Sequence, residues 1–100
     1  MRAQTVAKAF GRVLRRVRIE RALSQEMITE RCELDRTYPS LLERGLRTPT
    51  LSVVIDLALG LRMAPDALVK AAWEELRSSL PSAAPPSAPE ANYARIVSKR

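Results

Sequence analysis

The sequence predicts an all-α domain of five short helices followed by a flexible, proline-rich C-terminal tail. Three observations carry this. Apolar residues recur at three- and four-residue spacing, no stretch alternates with period two for long, and helix-starting or helix-stopping residues break the pattern at regular points. One hundred residues have room for one domain, read as 5–79, and a tail, read as 80–100.

The first helix is expected from Thr5 to Arg21, with Phe10, Leu14 and Val17 forming one apolar stripe. Gly11, beside Phe10, permits a close helix approach. Ser24 is a good N-cap for a second helix ending near Cys32, and Leu23 with Ile28 occupy the two positions of a hydrophobic staple. Asp35 is expected to cap a third helix over Arg36 to Glu43 that stops at Gly45. Thr50 caps a fourth, which carries Leu51, Val54, Ile55, Leu57, Ala58 and Leu61. Pro65 opens a fifth, with Leu68, Val69, Ala72, Trp73 and Leu76 on its apolar side. From Leu80 onward four prolines stand among Ser and Ala, a composition that neither packs a core nor holds a helix. Asn92 to Val97 can order only on a partner.

Composition narrows the function. Hydrophobic residues make up 46% of the chain but aromatics only 4%, so aliphatic side chains must fill the core. Seventeen basic against eleven acidic residues leave a net charge of +6, which suits a polyanion such as nucleic acid or an acidic membrane surface. That excess sits in residues 1–47, where eleven basic side chains face six acidic ones. With no histidine, Ser-His-Asp, Cys-His and HExxH systems are excluded. Cys32 stands alone, so it forms no internal disulfide and no multi-cysteine zinc site. It reads as a small buried residue. No metal, cofactor or enzymatic activity is expected. No apolar run approaches the ~18 residues of a spanning helix, and the first ten residues lack a signal-peptide core, so a cytoplasmic location and no membrane partner are expected.

The second and third helices carry the functional expectation. They are short, Glu33-Leu34 joins them tightly, and the third opens with Asp35-Arg36-Thr37-Tyr38. A steeply crossed helix pair with hydrogen-bonding side chains on the first turn of its second member suits the major groove of B-DNA, ~12 Å wide. An arginine there can bond guanine O6 and N7 together, and a threonine can hydrogen-bond or place its methyl against thymine.

These segments resemble the phage-repressor and Cro-like (XRE-type) helix-turn-helix family. The resemblance rests on Leu23-Ser24-Gln25-Glu26-Met27-Ile28, on Leu34-Asp35-Arg36-Thr37-Tyr38, and on Leu42-Glu43-Arg44-Gly45-Leu46-Arg47-Thr48-Pro49-Thr50-Leu51. Phe10-Gly11 to Arg18 also looks like the family's first helix, so that the match spans residues 8–70. It implies a compact lambda-repressor-like DNA-binding domain in a bacterial or phage-encoded regulator, nucleoid-associated when bound. Position by position it implies base reading by Arg36 and Thr37, with Ser40 and Tyr38 on base edges or backbone. Gln25, Arg44 and Arg47 are implied to contact the DNA backbone, and Arg18 with Glu43 to form a structural ion pair. Leu41 matches a base-contacting position, where it either meets a thymine methyl or serves packing alone.

One recognition helix makes too few contacts to specify a genomic site, so a homodimer reading half-sites ~34 Å apart is expected, with Val69, Trp73 and Leu76 as its candidate surface. Among subtypes, the Asp35 to Tyr38 opening, the small size and Arg47 look like the controller proteins of restriction-modification systems. A free-standing phage or host repressor fits equally. An antitoxin or other protein-interaction module, holding its partner through the tail or the fifth helix, is the alternative of a different class.

The chain departs from the family pattern at several points. Pro39 stands where the family prefers Ile or Leu, and at about the fourth helical position it would remove a backbone bond. Either the third helix starts later or its first turn widens. Thr29 replaces a packed alanine, while Glu33 and Arg62 occupy turn positions that favour glycine. For Arg12, Arg15 and Arg16 a phosphate-facing role and a merely solvated face both remain open.

Overall fold

The computed structural model describes residues 1–80, so the expected tail beyond Leu80 and the Asn92–Val97 segment lie outside the described residues. Five helices follow in order, and no strand occurs among the described residues: α1 Ala3–Glu20, α2 Gln25–Cys32, α3 Tyr38–Glu43, α4 Leu51–Gly60 and α5 Pro65–Ser79. None is long and apolar enough to cross a membrane.

Helix α1 packs against both α3 and α5, α4 packs against α2 and α5, and α2 also touches α3. The buried face of α1 is Ala7, Phe10, Gly11, Val13, Leu14 and Val17, the stripe set by the periodicity. At Gly11 the α1 backbone passes directly against that of α3. A Cβ there would lie 2.7 Å from the Glu43 carbonyl oxygen and would overlap the Leu42 carbonyl oxygen. The Ser24 hydroxyl accepts the Met27 N–H at 3.1 Å, and Leu23 and Ile28 are both buried, closing the entry to α2. Thr50 caps α4 in the same way, accepting from the Val53 N–H at 3.3 Å. Pro65 stands at the start of α5, where its missing N–H costs nothing.

Three non-glycine residues hold the left-handed conformation that ends a helix: Ala22 (φ 55°), Glu33 (φ 52°) and Arg62 (φ 60°). Each carries on the order of 1 kcal/mol of backbone strain that glycine would avoid. Glu33 and Arg62 take the positive φ that their turns demand. At Ala22 nothing in the local sequence signals a positive φ.

The core joins Phe10, Val13, Leu14, Ile28, Leu42, Leu57, Leu61 and Leu68 with smaller residues. Leu51 and Ile55 are exposed (71% and 38%), because α4 packs along one side and buries only the arc of Val54, Leu57 and Ala58. One expectation needs correcting. Leu76, expected at a dimer surface, is 6% exposed and belongs to the interior under α5.

Candidate functional site

The third helix starts later than its sequence suggests. Asp35 forms a turn ahead of it: Asp35 Oδ1 accepts both the backbone N–H and the hydroxyl of Thr37 at 3.0 Å. Its backbone carbonyl accepts the Tyr38 N–H, also at 3.0 Å. These bonds, first from the Thr37 backbone and then from its hydroxyl, hold the Asp35 carboxyl below its ordinary range. Pro39 is the reason for the shift. With Thr37 as N-cap, the proline falls in the first turn of α3, where no N–H is required, and its ring is fully buried. Arg36 and Thr37 therefore sit in the turn before α3 and not on its first helical turn.

Both side chains are exposed. Leu34 packs against the core just before them and Tyr38 just after, so the exposed pair is anchored at both ends. Arg36 shares a shallow crevice of about 260 Å³ with Glu26, Thr29 and Glu30 of α2. Thr29 turns its hydroxyl inward to donate to the Gln25 carbonyl oxygen at 2.9 Å. Further along α3, Ser40 and Leu41 are half-buried. Arg44 and Arg47 are exposed at the exit, and Arg44 Nε donates to the Ser40 carbonyl oxygen at 3.4 Å.

Behind this surface lies a network that fixes α3 to the rest of the domain. Arg18 of α1 donates to Glu43 of α3 through Nε (2.5 Å) and Nη2 (3.0 Å), and through Nη1 to the Leu23 carbonyl oxygen at 2.8 Å. Gln25 Nε2 donates to the same Glu43 carboxylate at 3.1 Å. The two charged side chains are only 14% and 3% exposed, so one chain of bonds ties α1, the start of α2 and the end of α3.

The basic face of α1 is largely committed elsewhere. Arg12 Nε (2.9 Å) and Arg16 Nη1 (3.1 Å) both pair with Glu75 of α5. Those bonds, Arg12 first, lower the Glu75 carboxyl. Cys32 is buried and donates to the Asp56 carbonyl oxygen at 3.3 Å. Burial and the Asp56 charge push its thiol up, away from reactivity. No group of three or more potential ligands that could hold a metal ion occurs among the described residues.

A second surface lies along α4 and α5. Val69 and Trp73 are 49% and 41% exposed and border an open apolar groove of about 900 Å³ with Leu51 and Ile55. The sequence assigns Leu51 and Ile55 to the fourth helix without assigning them a surface. The missed signal is that α4 carries more apolar residues than one face can bury.

Residues 9–72 match the family model described as a helix-turn-helix domain. The control protein C.BamHI of Bacillus amyloliquefaciens is 34% identical over 61 residues, covering 60% of this chain and 75% of that one. The restriction-modification controller protein C.AhdI from Aeromonas hydrophila superposes with a TM-score of 0.60 at 37% identity, covering 62% of this chain and 94% of its own. The controller protein C.Esp1396I, in a tetramer bound to its natural 35 base-pair operator, gives a TM-score of 0.65 at 25% identity, covering 71% and 93%.

Proposed function

The chain belongs to the helix-turn-helix domain family, and on that premise we propose that it is a sequence-specific transcriptional regulator that binds double-stranded DNA as a homodimer, in the manner of a restriction-modification controller. The observation that carries this reading is the exposed Arg36-Thr37 pair, held by the Asp35 turn at the lip of α3. The turn fixes the backbone that carries Arg36, and from there its exposed guanidinium can bond guanine O6 and N7 together.

In this reading Arg36 and Thr37 read base edges, joined by Ser40 and by the Leu41 side chain against a thymine methyl. Arg44 and Arg47 hold the DNA backbone, with Tyr38 beside them. Gln25 contributes its second amide N–H to a phosphate while the first stays on Glu43. The Arg18-Glu43-Gln25 network keeps these groups in register and touches no base itself. The dimer forms through the α4–α5 groove, with Trp73 and Val69 as anchors and Leu51 and Ile55 beside them. Leu76 stays beneath, as support. The net charge of +6 supplies the salt-sensitive part of the affinity.

The test is selection from a random duplex pool, followed by anisotropy titrations of the selected and a scrambled duplex at several salt concentrations. The expected preference for the selected duplex is at least ~10³-fold, with both affinities falling as salt rises. Absence of duplex binding at low salt would refute the reading and favour a protein-interaction role for the same fold.

A further inference from the structure

At the end of the molecule where α1, α2 and α4 terminate, three arginines converge. Arg21, Arg31 and Arg62 line one open crevice of about 290 Å³, with Leu23 and Leu61 as its only other walls. Arg21 is fixed there by Nε donation to the Leu61 carbonyl oxygen at 2.6 Å, and Arg31 by Nη1 donation to the Gly60 carbonyl oxygen at 3.0 Å. Each of these bonds occupies one N–H of a five-donor fork, so the remaining donors are held in place without being used. The ion pairs among the described residues involve Arg12, Arg16 and Arg18 but none of these three; no carboxylate lines this crevice, while Glu33 and Asp56 line the adjoining cleft that Arg31 and Arg62 share.

Arg62 adds an independent sign. It occupies a left-handed turn (φ 60°) where glycine would be less strained. The strained residue is the one that brings a third positive charge to a place already holding two.

We propose that Arg21, Arg31 and Arg62 form a binding site for a phosphate-type oxyanion, separate from the surface assigned to base reading. Guanidinium forks match pairs of oxygens on such an anion, and an anion placed among two fixed forks and the Arg62 side chain offsets their mutual repulsion. The anion is either a free phosphate or a backbone phosphate of bound duplex. The site does not depend on Arg36 or on the regulatory reading.

The full chain, labelled with ¹⁵N, is titrated with sodium phosphate replacing sodium chloride at constant pH and ionic strength, following the arginine Nε–H signals by NMR. The signals of Arg21, Arg31 and Arg62 are expected to move together and saturate with a midpoint on the order of 1 mM, while those of Arg12 and Arg16 stay in place. Arg62→Gly is expected to weaken the midpoint about tenfold while raising the thermal midpoint in chloride, since it relieves the turn. A purely structural arginine would give the second effect without the first. A parallel titration with the selected duplex separates the sources: movement of the same three signals assigns the anion to the DNA backbone, and movement with phosphate alone assigns it to a free oxyanion. Non-saturating drift, or an unchanged midpoint in Arg62→Gly, with no response of the three signals to duplex, overturns the proposal.

Discussion

Arg18 and Glu43 meet across a separation of 25 residues through two parallel hydrogen bonds, with the Arg18 guanidinium also closing on the Leu23 carbonyl oxygen. The pair joins α1 to α3, and Gln25 joins α2 to the same carboxylate. Removing one partner leaves the other charge nearly buried and uncompensated. Glu43→Ala is expected to lose about 3 kcal/mol of stability, measured by urea unfolding. The double change Arg18→Met, Glu43→Leu is expected to recover most of that loss.

Gly11 allows the same two helices to touch. A methyl group there must displace the Leu42 and Glu43 carbonyls, which belong to backbone and cannot rotate away. Gly11→Ala is therefore expected to destabilise by about 2–3 kcal/mol, although alanine favours helix over glycine. A midpoint equal to or above wild type in denaturant would contradict this packing.

Acid should loosen the reading turn before it unfolds the domain. The Asp35 carboxyl is lowered by its bonds to Thr37, so the charged form is favoured in the folded turn. The resulting stabilisation is full above the ordinary carboxylate pKa of about 3.9 and disappears as pH falls through the lower folded value. The Thr37 amide signal is expected to hold constant down to about pH 4 and to shift below it. Asp35→Ala should show the shifted position already at neutral pH.

Neighbouring residues of α5 have separable roles. Leu76→Ala is expected to destabilise the fold by about 2–4 kcal/mol, as for a core leucine. Trp73→Ala, at a half-exposed rim, should barely change unfolding but weaken dimerisation by at least ~2 kcal/mol, read by sedimentation equilibrium. Equal effects of the two variants on both measurements would argue against the α4–α5 groove as the dimer surface.

The helices, their caps and the α1 stripe were legible because each depends on local spacing: Ser24 and Thr50 as caps, Gly45 and Pro65 as boundaries, Gly11 as a contact. The start of α3 was only half legible. Pro39 signalled a disturbance, but choosing a late start over a widened turn required knowing that Asp35 bonds to Thr37 and that the proline ring is buried. That Leu76 is covered while Leu51 and Ile55 stay outside was illegible, because periodicity defines a face and tertiary packing decides how much of it is covered. The Glu75 clasp on Arg12 and Arg16 links residues far apart in sequence and left no local trace.

The central claim is that Arg36 reads a base from the turn before α3. Its direct test is a competition titration of Arg36→Ala between the selected duplex and a scrambled one of equal length, at two salt concentrations. The account predicts that preference for the selected duplex collapses at least tenfold, equivalent to about 1.4 kcal/mol, while the weaker, salt-dependent binding to both duplexes persists. Undiminished preference in Arg36→Ala would contradict it.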